Sequence, residues 1–152
     1  MNRRDLLKLT GGLPFMSTAY AQGAKPVFQR SRPGDPAWPS DANWQALKTE
    51  VGGRLVRVTS PLEACAAAPS GAACDAVFKG LKNPYYIRDN VALTQTSGWA
   101  GAWTSSPSVW AVSANSAADV AAAVNFARAH KLRLVVKGGG HSYQGTSNAP
   151  DS

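Results

Sequence analysis

The spacing of hydrophobic and polar positions changes several times along the chain, and each change marks an element. Trp44, Leu47 and Val51 fall on one face of a helix over 41–51, which Asp41 can cap and Gly52-Gly53 stops. Residues 54–58 (Arg-Leu-Val-Arg-Val) alternate as a strand does. Residues 74–81 suggest one or two helical turns presenting Val77, Phe78 and Leu81, and residues 108–112 (Ser-Val-Trp-Ala-Val) make a second strand-like run. Ser116 with Asp119 three positions on forms a capping-box pattern that opens an alanine-rich helix. On that helix Val120, Ala123, Val124 and Ala127 define one apolar face, and Arg128, His130 and Lys131 gather near its end, where cations suit the helix dipole. Residues 132–136 (Leu-Arg-Leu-Val-Val) then predict a short buried strand. The fold class expected is α+β, with a strand-helix-strand unit of α/β type in its later half.

That last apolar run empties into Lys137-Gly138-Gly139-Gly140-His141-Ser142-Tyr143-Gln144-Gly145-Thr146-Ser147. Three consecutive glycines let the backbone turn sharply and approach a ligand without a Cβ in the way. Successive N–H groups in such a turn can converge on an anion, and Lys137 is a cation beside them. His141 can act as a base, a metal ligand or a nucleophile. A P-loop would need a lysine after Gly145, where Thr146 stands, and the dinucleotide fingerprint started at Gly138 would need glycine at Tyr143. This is a different kind of glycine turn, and on residue types alone it is also compatible with a plain tight turn carrying a surface histidine.

In residue order, the loop and the unit before it closely resemble the diphosphate-binding region of the vanillyl-alcohol oxidase and p-cresol methylhydroxylase (PCMH-type) flavoproteins, most of all the berberine-bridge-enzyme-like oxidases. The Tyr86-Ile87-Arg88 and Gly98-Trp99 segments fit the same resemblance, which covers residues 84–152 well and weakens upstream. It implies the first part of a truncated PCMH-type FAD-binding domain. Gly138, Gly139, Gly140 and Ser142 would contact the diphosphate of FAD, with Lys137, Tyr143 and Gly145 completing the cofactor contacts. His141 would carry a covalent bond to the flavin 8α-methyl carbon. A histidine suits that bond because its ring nitrogen is largely neutral near pH 7, where a lysine would be protonated.

The resemblance further implies an FAD-dependent oxidoreductase that takes a hydride from a small-molecule substrate, an alcohol or related donor, and passes electrons to oxygen or another acceptor. The catalytic base and substrate pocket would lie downstream, and the fragment alone would be inactive. Two other readings stay open. One is a non-catalytic exported fragment serving as a binding module; the other is a nucleotide-phosphate binder without flavin chemistry.

At the other end, Arg3-Arg4-Asp5-Leu6-Leu7-Lys8, a mildly apolar stretch and the small-residue ending Ala19-Tyr20-Ala21 resemble a twin-arginine signal cleaved after Ala21, which implies a periplasmic or secreted destination. The stretch is too short and too broken by Gly11, Gly12 and Pro14 to give a stable membrane span. The domain plan is thus a signal peptide at 1–21, a proline-rich linker at 22–40, an α+β region at 41–103 and the start of the FAD-binding domain at 104–152. Cys65 and Cys74, the two cysteines of the chain, are expected to form a structural disulfide in an exported protein; two separate buried thiols are the alternative. Two cysteines and two histidines in this arrangement match no zinc pattern. The net charge of +7 is scattered rather than gathered into a stripe, so no nucleic-acid partner is expected. The aromatics from Tyr85 through Trp99, Trp103 and Trp110 are expected to pack rather than to stack on a substrate.

Overall fold

The computed structural model describes residues 28–94, 106–143 and 145–152. The signal-like leader, Trp99, Trp103 and Gln144 lie outside the described residues. Helix α1 (Asp41–Glu50) is capped by Ser40 rather than Asp41. The Ser40 hydroxyl accepts from the Asn43 amide at 3.3 Å, and the Asn43 side chain accepts from the Ser40 amide at 3.0 Å. Asp41 falls one position inside, in the first turn, where a carboxylate still suits the positive end of the helix. The predicted glycine stop holds. Gly52 and Gly53 take positive φ values of 60° and 84°, and the Gly53 amide closes the helix end on the Lys48 carbonyl at 2.7 Å.

Strand β1 (Leu55–Arg57) pairs antiparallel with β2 (Trp110–Val112), in the register Leu55 to Val112, Val56 to Ala111 and Arg57 to Trp110. One further backbone bond at each end extends the ladder, from Val58 to Val109 and from Ser113 to Arg54. Trp44, Leu47, Val51, Leu55 and Ala122 form the core, with Trp38, Trp110, Val112, Phe126 and Leu132 packed around it. Trp44 is its centre, with ring centroids 5.1 Å from Trp110 and 4.8 Å from Phe126. Burying each such side chain contributes about 1.5–3 kcal/mol, and each ring pair about 0.5–1.5 kcal/mol more. Trp38 lies 5.7 Å from Trp44 and the Ser31 amide donates to the Lys131 carbonyl, so the proline-rich arm is tied down over residues 31–38.

Between the two strands lie α2 (Glu63–Ala67), α3 (Ala72–Gly80) and α4 (Pro84–Asp89). Cys65 and Cys74 are joined as a disulfide linking α2 to α3. Helix α3 starts two residues earlier than predicted and buries Cys74 and Val77, whereas Phe78 is 57% exposed. Phe78 follows Val77 directly and so points about 100° away from it, out of the packed stripe.

The long helix α5 (Ala117–Ala129) has the predicted Ser116 and Asp119 capping box. Its apolar face is rotated from the predicted one. Asp119, Ala122 and Ala127 are buried, while Val120 is 50% exposed. On that side the Arg54 guanidinium donates to Asp119, whose carboxylate also accepts from the Asn115 and Ser116 amides. Val120, Ala123 and Val124 instead line a cleft of about 550 Å3, together with Trp110, Ala111 and Val112 of β2. Residues 132–138 also line this cleft.

The predicted strand at 132–136 is not formed. The described strands are β1 and β2, and Val136 is 83% exposed. A strand is completed by the neighbour that takes its N–H and C=O groups; the Leu132 amide turns back to the end of α5, and no described segment pairs with the rest of this run. The chain is therefore α+β, with a small antiparallel sheet packed beneath α1 and α5.

Candidate functional site

Helix α5 ends in a way that aims the following run. Lys131 adopts φ 55°, its amide donates to Arg128, and the Leu132 amide reaches back to Ala127 at 2.8 Å. This is a Schellman ending with a lysine in the left-handed position, and it delivers Leu132 to the core. From there the chain crosses the mouth of the cleft to Lys137 and the glycines.

Lys137 is half-buried, and its ammonium donates to three backbone carbonyls, those of Ile87 (3.3 Å), Asn90 (2.5 Å) and Leu93 (2.8 Å). Burial lowers its pKa, and the nearby Asp89 carboxylate opposes that shift. The sequence places this cation beside a bound anion; the structure commits its donors to the turn after α4. Nothing in the local sequence marks those carbonyls as its partners.

Gly140 is buried at φ +73°, and a Cβ there would come within 2.8 Å of the Lys137 side chain. Glycine is required here by both backbone and space. Gly138 has open space where a side chain would go, and a Cβ on Gly139 would lie 3.0 Å from the His141 ring, which folds back over it. His141 and Tyr143 are exposed. The Ser142 hydroxyl closes the turn, lying 2.7 Å from the Thr146 hydroxyl and accepting from the Thr146 amide, and Gly145 takes φ +68°.

The exit of the loop is anchored as firmly as its entry. Ser147, Asn148 and Ala149 are buried. The Asn148 side chain donates to the Ala92 carbonyl at 3.0 Å, and the Ser152 carbonyl accepts from the Val109 amide just before β2. Asn148 escapes a reading of the sequence because its partner lies 56 residues away. Lys137 and Asn148 thus grip the same Ala92-Leu93 turn from the two ends of the loop.

Between those anchors the amides of residues 138–142 have no acceptor among the described residues. A run of free N–H groups that opens on three glycines, with a left-handed kink at Gly140, is the kind of backbone that can receive an anion. Among the described residues no group of three or more metal-ligating side chains converges, and no helix is long and apolar enough to cross a membrane.

No family model matches the chain. Individual proteins do. It is 30% identical to the FAD-linked oxidoreductase easE of Trichophyton verrucosum over 97% of its own length, and 33% identical to the bifunctional decalin synthase calF of Penicillium decumbens over 93%. It spans 28% and 27% of those relatives, respectively. Among solved structures, the VAO-type flavoprotein MtVAO615 of Myceliophthora thermophila superimposes with a TM-score of 0.67 at 27% identity, over 81% of this chain and 26% of that one. A second VAO-type flavoprotein from the same organism, MtVAO713, shares the fold with a TM-score of 0.68. Fold and sequence agree on one group, and the chain belongs to the PCMH/VAO-type FAD-binding flavoprotein family.

Proposed function

We propose that this chain supplies the diphosphate-binding loop of an FAD-dependent oxidoreductase. The observation that carries the reading is the 138–142 turn, whose amides have no acceptor among the described residues while both of its ends are fixed to the Ala92-Leu93 turn. Backbone N–H groups from Gly138, Gly139 and Gly140 would hold the phosphates, with those of His141 and Ser142 beside them. Gly145 and the Ser142 to Thr146 contact keep the turn closed, and Tyr143 flanks it.

His141 is the flavin-attachment residue in this reading. Its imidazole is exposed and lies against Gly139 of the turn, and a ring nitrogen would be the group that bonds to the flavin carbon. The bound flavin would supply hydride acceptance from a small-molecule donor, with oxygen or another acceptor taking the electrons. Relatives named as FAD-linked oxidoreductases favour this over an exported binding module without flavin. Export through the twin-arginine route belongs to the same proposal, because a protein that acquires its flavin before transport must cross the membrane folded.

The test is to express the complete reading frame that contains this chain, precipitate it in acid and look for flavin fluorescence on the polypeptide. Wild type should keep it, and His141→Ala should release it. Wild-type protein that purifies without flavin would overturn the proposal, and flavin freed from wild type by acid would reduce His141 to a non-covalent contact.

A further inference from the structure

We infer that Lys137 is a positioning residue whose ammonium, seated in a three-carbonyl cradle, sets where the glycine-turn amides point. An ammonium has three donors and no acceptor, and the cradle offers three oxygens, those of Ile87, Asn90 and Leu93. Ile87 and Asn90 lie at the C-terminal end of α4, where carbonyls lack helical partners and a cation is favoured. Asn90 adds rigidity by accepting from the Ala92 amide at 3.0 Å through its side chain, and Leu93 and Thr94 are fully buried. The cradle is therefore a stiff receptor on the body of the fold.

The stem of Lys137 carries this stiffness to the loop. Its Cε would lie 2.8 Å from a Cβ on Gly140, so the one buried glycine of the triplet rests directly on the lysine chain. Moving the ammonium moves the floor under the turn. The lysine acts on a bound anion through the backbone and not as a contacting charge. The inference rests on the proposed function only for its consequence to flavin; the cradle itself needs no ligand.

Hydrogen exchange of residues 145–148, where the amides of Gly145, Thr146 and Asn148 close the loop, and of residues 90–94 tests it, measured in the complete reading frame without added flavin. Lys137→Met keeps the stem and removes the donors, and should raise exchange in both segments about tenfold or more. Lys137→Arg should not restore protection, because a planar guanidinium does not fill a three-oxygen cradle. In Lys137→Ala, added ethylammonium should restore protection, while tetramethylammonium, which has no N–H, should not. Wild-type exchange in the Met variant, or full protection in the Arg variant, would overturn the clamp. Should the Ala variant fold only when ethylammonium is present, the clamp is supported by that dependence; misfolding in both conditions, with an unperturbed Met variant, counts against it. A failure of the flavin reading looks different: wild type would bind no flavin while the exchange contrast persisted.

Discussion

Arg54 and Asp119 meet across 65 residues of sequence, with the guanidinium Nη2 at 2.6 Å from the carboxylate Oδ1. Asp119 also accepts from the amides of Asn115 (2.8 Å) and Ser116 (3.0 Å), so a single side chain caps α5 and ties it to the residue preceding β1. The Arg54 hydrogen bond, reinforced by the Asn115 amide, holds the Asp119 carboxyl at about 2, well below its ordinary 3.8. The pair lies on the buried side of α5, and the adjacent Val120 is half-exposed.

A depressed carboxylate stabilises the fold wherever it is ionised in both states and ceases to do so as it protonates. The Asp119 contribution should be complete above about pH 4 and fade as pH falls from 3.8 towards 2. The difference in Tm between wild type and Asp119→Asn, followed from pH 6 downwards, should therefore shrink in that window. A constant difference across the range would rule the pair out as an acid-labile contact.

Lys131 occupies a left-handed position that favours glycine. Its side chain is exposed and its backbone bonds to Ser31 and Arg128 do not depend on residue type. Lys131→Gly should raise stability by about 0.5–1 kcal/mol in denaturant unfolding, the relief of left-handed strain outweighing the added freedom of the unfolded chain. A lower midpoint would mean that the lysine side chain contributes more than its conformation costs.

Gly138 and Gly140 should separate binding from folding. Gly140→Ala meets both a positive φ and the Lys137 stem, and should cost about 1–3 kcal/mol of stability. Gly138→Ala meets open space, so its thermal midpoint should stay close to that of wild type. In the complete reading frame that variant should nevertheless retain less FAD, because the added methyl stands where the diphosphate is proposed to lie. Equal flavin retention would move the ligand away from Gly138.

The Cys65 to Cys74 bond closes a short loop between α2 and α3. Replacing both with serine should cost about 2–3 kcal/mol relative to the oxidised protein. Reductant should lower the wild-type midpoint towards that of the variant and leave the variant unmoved. Identical midpoints under oxidising conditions would show that the bridge does not limit unfolding.

Elements with strong local signals were legible along the chain: the Ser116 and Asp119 box, the Gly52-Gly53 stop, the Trp44, Leu47 and Val51 face, and the disulfide. Each depends on residues within a turn or two of one another, where spacing alone dictates geometry. The glycine turn could be recognised for the same reason, since the order of residues 137–147 is itself the motif.

What local order could not decide was contact at long range. Periodicity says that α5 has apolar positions; it does not say that Asp119 lies buried against Arg54, 65 residues away, while Val120 is half-exposed. Hydrophobicity marks residues 132–136 as strand-like, but strand formation depends on a hydrogen-bonding neighbour, and none of the described segments provides one. A lysine beside glycines suggests a charge for an anion, whereas the three carbonyls that receive it come from residues 87–93. The sequence by itself marked helices α1, α3 and α5, the Ser116 cap of α5 and the glycine stop of α1; the tertiary structure alone decided which faces are buried and what each charge touches, because those outcomes depend on partners 44 to 65 residues distant that no local pattern encodes.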